Sequence, residues 1–143
     1  MKFKFKNKDL PTLTNLIDNL HTTAMRVNRG KIKVYSAISD KLHEYAEDES
    51  DILKQYVVID EDGQFAKKDD GSLALKDGVN AVEVNQQLEE LQNEIITISS
   101  GDYTNRFVDF FEWLVDCDVE LTTQEIILVD NLLEQYEEQT KGE

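Results

Sequence analysis

The chain has 143 residues, with 30 acidic side chains against 15 basic ones and a formal net charge of -15. A chain of this length typically forms one domain that buries about two thirds of its unfolded surface, and its composition, 40% hydrophobic and 31% charged, excludes a disordered or fibrous protein. No apolar run approaches the roughly 20 residues of a membrane span, so neither a span nor a secretion signal is expected, and the single Cys117 favours a reducing compartment.

The first predicted element is an edge strand. In Lys2–Lys6 lysine alternates with phenylalanine, and alternate side chains of a strand point to opposite faces. This pattern places Phe3 and Phe5 on the buried face. The lysines then lie on an exposed face, where their charge discourages pairing with other chains.

Two helices are predicted to follow. Apolar residues at helical spacing, with Pro11 in the first turn, indicate a helix over residues 10–28. Gly30 is a plausible stop signal, although a helix that continues past it is the alternative. The same spacing resumes beyond Gly30 and indicates a second helix that ends in the acidic residues 47–49. Antiparallel packing is the simplest arrangement for two such apolar stripes.

Residues 50–78 predict a short helix and a small β-meander. Ser50 can cap a helix through Tyr56, because its hydroxyl oxygen can accept a hydrogen bond from an unpaired backbone N–H. Three Asp-Gly pairs follow, which are typical of tight turns, and short strands between them predict the meander over residues 56–76. No internal repeat is apparent. The three pairs are Asp62-Gly63, Asp70-Gly71 and Asp77-Gly78.

The C-terminal half is predicted to be helical. Asn80 and Glu83 form a capping-box-like pair before a helix of roughly 12 to 15 residues, and residues 95–98 are ambiguous between a helix end and a strand. Residues 103–115 place four apolar side chains on one helical face. A capping box at Thr122 begins the last helix. The apolar residues expected on the face of the helix over residues 103–115 are Phe107, Phe110, Phe111 and Leu114. Those expected on the face of the last helix are Ile126, Val129, Leu133 and Tyr136.

These elements predict a predominantly helical α+β fold in a single domain over residues 1–143. Its expected parts are a strand and basic helical pair (1–49), a short helix and meander (50–78), a helical C-terminal half (79–139) and a frayed tail (140–143).

One candidate partner-binding surface combines aromatic and acidic side chains. Aromatic residues commonly anchor interfaces, and exposed carboxylates can add charge complementarity. The alternative is that the aromatic stripe is core and the carboxylates a solvated face, which is the more frequent arrangement. The candidate residues are Phe111, Trp113, Asp109, Glu112, Asp116 and Asp118.

A candidate basic patch lies in a chain whose charge is unevenly distributed. Residues 1–44 carry a net charge of +5, and residues 45–143 carry -20. The patch is the one cluster that suits contact with phosphates, but the acidic remainder would repel a polyanion, so direct nucleic-acid binding is not expected. The patch consists of Arg26, Arg29, Lys31 and Lys33.

Enzymatic chemistry is not indicated. The sequence has no phosphate-binding glycine loop, no nucleophile-elbow motif and no His-Glu-x-x-His motif. Neighbouring carboxylates would raise the pKa of Cys117, whereas a nucleophilic thiol needs a lowered one. We therefore expect no catalytic residues, no metal and no cofactor.

Three segments together carry a resemblance: MKFKFKNKDL (1–10), YVVIDEDGQF (56–65) and RFVDFFEWLVDCDVEL (106–121). The chain resembles a family of small proteins of unknown function encoded by phages and prophages of Gram-positive bacteria, namely lactic-acid bacteria, streptococci and enterococci. The resemblance implies an accessory or structural role inside such a host. It transfers no catalytic or binding residue.

Two functional hypotheses follow. The first is a non-enzymatic phage protein that acts through contacts with phage or host proteins, as a minor component or assembly factor, in the host cytoplasm or the virion. The second is an acidic inhibitor that imitates DNA and binds a host nucleic-acid-binding defence protein. No membrane partner is expected, and homo-oligomerisation is left open.

Overall fold

The computed structural model describes residues 1–141, which form five α-helices and one two-stranded antiparallel sheet. The predominantly helical α+β fold expected from the sequence is confirmed. None of these helices has both the length and the apolar composition needed to cross a bilayer. In chain order the elements are β1 (Lys2–Lys6), α1 (Leu10–Asp18), α2 (Met25–Tyr56), α3 (Ala81–Asn93), β2 (Ile95–Ser99), α4 (Thr104–Val115) and α5 (Thr123–Thr140).

The described chain divides into two compact units. The first comprises residues 1–42 and 95–141, and the second comprises residues 43–94. Both strands, α1, α4, α5 and the beginning of α2 belong to the first unit, whereas the remainder of α2 and all of α3 belong to the second. The single domain over residues 1–143 stays a prediction.

Aromatic side chains form the centre of the first unit's core. The Phe111 ring of α4 is fully buried, and its centroid lies 4.8 Å from that of Phe3 and 5.4 Å from that of Tyr136. Phe3 and Phe5 of β1 point inward while its lysines are exposed, so the predicted alternation is confirmed. The predicted apolar face of α4 is also confirmed, with Phe107, Phe110, Phe111 and Leu114 all buried.

The outer edge of β1 is covered by two glutamine side chains of α5. β1 pairs with β2 on one side only, so its other edge has no strand partner within residues 1–141. Gln139 Oε1 accepts a hydrogen bond from the Lys2 N–H and Gln139 Nε2 donates one to the Lys2 carbonyl, each at 2.7 Å. Gln135 makes the same pair of bonds to Lys4, at 2.7 and 2.8 Å. Four helical residues rise about 6 Å and two strand residues about 6.6 Å, so the two pairings fit together.

We expect the double substitution Gln135→Ala/Gln139→Ala to expose this edge. Amide exchange at Lys2 and Lys4, followed by nuclear magnetic resonance (NMR), should accelerate by at least about tenfold, since each lost hydrogen bond contributes on the order of 1 kcal/mol. Gln124→Ala, at an exposed position of α5, serves as the control and should leave both rates unchanged. Unchanged exchange in the double variant would show that the glutamines do not protect the edge.

The first predicted helix boundary is wrong, because the helix expected over residues 10–28 ends at Asp18. Side chains replace the helical hydrogen bonds at this break. Thr22 Oγ1 accepts a hydrogen bond from the backbone N–H two residues later, at 3.2 Å. Lys31 Nζ donates to the carbonyl of Leu20 at 2.6 Å. The backbone groups freed by ending the helix are thus partly satisfied by side chains of their neighbours.

Gly30 lies inside α2, so the predicted stop is wrong and the helix continues past it. The alternative of one longer helix is met only in part, because the chain leaves the helical conformation between Asp18 and Met25. A Cβ atom at Gly30 would stand 2.2 Å from the carbonyl oxygen of Arg106 and 3.1 Å from the Cβ of Phe110. Both of these residues belong to α4. The glycine therefore permits a close approach of α2 and α4, and it has no role in ending the helix.

The short helix predicted to begin at Ser50 is part of α2, which runs without interruption to Tyr56. The capping prediction fails because Ser50 lies in the middle of a segment that has no helix breaker. No glycine or proline occurs between residues 31 and 62, so the helix continues through the acidic residues 47–49.

Residues 56–78 contain a repeat that the sequence prediction missed. The three consecutive segments read YVVIDEDG (56–63), QFAKKDDG (64–71) and SLALKDG (72–78). Isolated β-bridges occur at equivalent positions, and the third bridge joins the last segment back to the first. The bridges are Ile59 with Phe65, Lys67 with Leu73, and Val57 with Leu75.

Backbone hydrogen bonds close these segments into a ring, which we call the threefold ring (residues 56–78). The Ala66 N–H donates to the Val58 carbonyl at 2.8 Å, the Ala74 N–H to the Ala66 carbonyl at 2.9 Å, and the Val58 N–H to the Ala74 carbonyl at 2.9 Å. The prediction of a meander of strands is thus corrected. Three isolated bridges form in place of strands, because each segment is too short to make more than one bridge with each of its neighbours. The Asp-Gly turns are present, with φ of 79°, 87° and 78° at Gly63, Gly71 and Gly78.

The predicted helix starts at Asn80 and Thr122 are confirmed. Asn80 Oδ1 accepts a hydrogen bond from the Val82 N–H at 2.9 Å. Thr122 Oγ1 accepts one from the Glu125 N–H at 3.2 Å, and the Glu125 carboxylate accepts one from the Thr122 N–H at 3.0 Å. The second pair is a complete capping box.

Residues 95–98, which the sequence leaves open between a helix end and a strand, belong to β2, so the strand alternative is correct. The predicted face of α5 is corrected: Val129, Leu132 and Tyr136 face the core, whereas the predicted Leu133 is half-buried and the predicted Ile126 is 52% exposed. The expected frayed tail, residues 140–143, begins at the last residue of α5, and residues 142 and 143 lie outside the described residues.

Candidate functional site

The first unit contains a groove of about 410 Å³, which we call the β1–α5 groove. β1 and the turn that follows it form one wall, and α5 forms the other. Side chains from α1 and from the beginning of β2 complete the lining. All of these elements belong to the same compact unit, so one folded body holds the groove.

The floor of the groove is apolar. Phe5, Leu13 and Leu132 line it and are themselves almost fully buried. Two further lining residues, Ile95 and Ile127, leave 65% and 62% of their surface exposed. Single exposed apolar side chains are common on protein surfaces, but two exposed isoleucines in one groove with an apolar floor form a continuous apolar surface.

The rim of the groove is basic. Lys4 and Lys6 of β1, and Lys8 of the turn after it, line the groove and are exposed, and Asp9 is the only carboxylate among the lining residues. The alternating pattern of β1 accounts for this arrangement, because it sends phenylalanines to the core and lysines outward. The lining therefore carries a net positive charge in a protein whose net charge is -15.

The groove opens where the glutamine pairing along β1 ends. Asn131 lies one helical turn before Gln135, at the position that would continue the series toward Lys6. Its side chain is one methylene shorter than that of glutamine, and its Oδ1 accepts a hydrogen bond from Gln135 Nε2 at 2.7 Å. Asn131 is therefore held beside Gln135 and lines the groove.

The predicted aromatic and acidic surface is divided by the fold. Phe111 belongs to the core, so it offers no surface for a partner, and Trp113 is half-buried against Phe110 at a centroid distance of 6.0 Å. Among the carboxylates, Asp109 is half-buried and the other three are exposed, namely Glu112, Asp116 and Asp118. The placement of Phe111 agrees with the alternative interpretation of the stripe as core.

The predicted basic patch is also divided. Lys31 Nζ donates hydrogen bonds to the carbonyls of Asp18 and Leu20, and Lys33 Nζ lies 4.0 Å from the ring centroid of Tyr103. These two lysines are thus engaged within the first unit, with Lys33 in a cation–π contact. Arg26 and Arg29 instead line a separate cavity of α2 and α4.

Cys117 is half-buried, and partial burial followed by the charge of Asp118 raises the pKa of its thiol. A raised pKa lowers the fraction of reactive thiolate at neutral pH. Within residues 1–141, no three His, Cys, Asp or Glu side chains converge in a way that suits a metal ion.

Most groove residues were not singled out from the sequence. The sequence predicts an exposed edge for the lysines of β1, and it predicts no particular face for Ile127. One signal was present: Ile126 and Ile127 are adjacent apolar residues in a helix, and only one of them can face the core. The contribution of Asn131 depends on a pairing between the two ends of the chain, which no local pattern contains.

Comparison with known proteins gives a family and no closer relative. A family model described as "Protein of unknown function (DUF1617)" matches residues 1–143. No curated protein and no solved structure matches the chain. The chain therefore belongs to the DUF1617 family of proteins of unknown function.

Proposed function

We propose that the protein is a non-enzymatic accessory or structural protein of a phage or prophage, and that it binds an acidic, amphipathic segment of another protein in the β1–α5 groove. The observation that supports this proposal is the combination of an apolar floor with a rim of three lysines in one groove. The phage role follows from the resemblance of the sequence, and the groove supplies the means of contact.

The apolar floor favours a protein ligand. Covering Ile95 and Ile127 would remove two largely exposed isoleucines from water, and each fully buried side chain of this size contributes about 1.5–3 kcal/mol. A partner that placed leucines or other apolar side chains between the two walls would gain this free energy of burial. A free polyanion would not, because its phosphates cannot replace water at an apolar surface.

The lysine rim favours acidic residues beside those apolar anchors. Lys4, Lys6 and Lys8 can pair with carboxylates at the edge of the groove, where such charges mainly increase association rate and specificity. Binding of this kind should weaken as salt is added, because the charged rim is exposed. A second copy of this acidic chain is the competing occupant.

The groove can be tested with a defined probe. We expect a fluorescein-labelled peptide, with leucine at every third or fourth position and glutamate between, to bind saturably in fluorescence polarisation. The variant Lys4→Glu/Lys6→Glu/Lys8→Glu should bind it at least about tenfold more weakly, since three favourable charge pairs become repulsive. The matched variant Lys54→Glu/Lys67→Glu/Lys68→Glu changes the net charge equally at exposed lysines of the second unit, and it should retain binding.

Three outcomes would contradict the groove proposal. The first is that a peptide with lysine in place of glutamate binds as well as the acidic peptide. The second is that the matched variant loses as much affinity as the groove variant. The third is a dimer of the free protein in sedimentation that the groove substitutions dissociate, which would identify a second copy as the occupant.

The phage role has a separate test. Mass spectrometry of purified virions and of assembly intermediates should detect the protein in at least one of them. Absence from both would contradict a structural or assembly role while leaving peptide binding in the groove unaffected. The DNA-imitating inhibitor stays a prediction from the charge of residues 45–143.

A further inference from the structure

All three arginines of the chain line one cavity. The sequence contains twelve lysines but only three arginines, at positions 26, 29 and 106. Arg26 and Arg29 come from the beginning of α2 and Arg106 from α4, and together with Met25 and Asp109 they line a cavity of about 350 Å³ within the first unit. Arginine differs from lysine in its planar set of donors, which suits two-point recognition of phosphate or carboxylate oxygens.

The close approach of α2 and α4 accounts for this convergence. The backbones of the two helices meet at Gly30, where the carbonyl oxygen of Arg106 lies so close that a Cβ atom would not fit. Arg29 immediately precedes Gly30, and Arg26 lies about one helical turn before it. The arginine of one helix is thereby held beside those of the other, and residue 106 could not have been added to the patch from sequence spacing.

The arrangement carries an electrostatic cost that a single carboxylate in the lining, Asp109, offsets only in part. Three like charges repel one another, and Arg26 stands in the first turn of α2, where the helix dipole disfavours a cation. Within residues 1–141, none of the three guanidinium groups makes an ion pair or hydrogen bond. Among the acidic side chains of residues 1–141, only Asp109 lines this cavity.

We propose that this cavity binds a phosphate-monoester dianion. Three arginines and one aspartate give the lining a net charge of +2, which balances the charge of about -2 on a phosphate monoester near neutral pH. The three terminal oxygens of such a group can each accept hydrogen bonds from a guanidinium, whereas a carboxylate offers two oxygens. A duplex would also meet strong repulsion from a chain of charge -15, whereas a single phosphate group, with far fewer charges, meets much less.

Titration of the whole protein with inorganic phosphate tests the site. With only three arginines in the chain, NMR spectra contain three arginine Nε–H signals, and we expect all three to shift together along one saturable curve. Glycerol 3-phosphate should bind comparably. Dimethyl phosphate and acetate, each with a single negative charge, should bind at least about tenfold more weakly.

Substitutions provide matched controls. Arg26→Gln/Arg29→Gln should weaken phosphate binding by at least about tenfold, whereas Lys67→Gln/Lys68→Gln, with the same change of net charge, should leave it unchanged. All four side chains are exposed, so both variants should fold. Asp109→Asn should strengthen binding, because it removes the one negative charge of the lining.

The proposal is overturned by any of three results. The first is that the arginine signals do not shift, or shift without saturation. The second is that acetate binds as well as phosphate, which would identify a site for a carboxylate side chain of a protein. The third is that a DNA duplex binds through the same arginines more tightly than glycerol 3-phosphate at physiological salt, which would identify a nucleic-acid surface.

Discussion

Replacing Phe111 by alanine should lower the free energy of unfolding by about 3–5 kcal/mol, the range typical of a large buried ring removed from a packed core. The Phe111 ring stacks on Phe3 and on Tyr136 and meets Phe110 edge-on at a centroid distance of 5.4 Å. Its loss would leave a cavity bordered by β1, α4 and α5 together.

Urea denaturation followed by circular dichroism measures this effect. Val115→Ala, at a position of α4 with an exposed side chain, serves as the control and should change stability by no more than about 0.5 kcal/mol. Phe111→Leu should give an intermediate loss, because leucine fills part of the cavity. A loss below about 1 kcal/mol for Phe111→Ala would contradict the central position of this ring in the core.

Replacing Gly30 by alanine should destabilise the protein by about 2 kcal/mol, although the same change usually stabilises a helix interior by about 0.5–1 kcal/mol. The sign reverses because the new Cβ would stand 2.2 Å from the Arg106 carbonyl oxygen. That oxygen belongs to the backbone of α4, so it can move only if the helix moves. Overpacking of this kind commonly costs about 1–3 kcal/mol.

Thermal and urea unfolding again provide the measurement. Asp48→Ala, at an exposed position of the same helix, separates helix propensity from packing and should be neutral or slightly stabilising. If Gly30→Ala were as stable as the natural protein, the two helices would have to lie farther apart than the structure places them.

The sequence predicted those elements whose signals are local. The alternation of β1, the cap at Asn80, the capping box at Thr122 and the apolar face of α4 depend on residues within a few positions of one another, and each is confirmed. The predicted boundaries at residues 28 and 30 were wrong, because they depend on partners elsewhere. Gly30 is explained only by the backbone of α4, and the break after Asp18 involves Lys31.

The candidate sites were less predictable than the fold. Arg26 and Arg29 were identified as a basic patch from their proximity in sequence, but Arg106, which completes the cavity, is 77 residues beyond Arg29. The β1–α5 groove likewise joins the first ten residues to the last helix. The sequence allows Phe111 to be either a partner anchor or core, and its burial depends on the elements that pack around α4.

The threefold ring has a consequence for the order in which the second unit folds. The bridges Ile59–Phe65 and Lys67–Leu73 each close a loop of a few residues, a step that takes on the order of 10–100 ns. The bridge Val57–Leu75 joins the ends of the whole segment and has a greater loop-closure entropy to overcome. We therefore expect the two local bridges of the ring to form first and the Val57–Leu75 bridge to form last. An insertion in any one turn would slow that turn alone, whereas the deletion of one segment would remove the partner that the closing step requires.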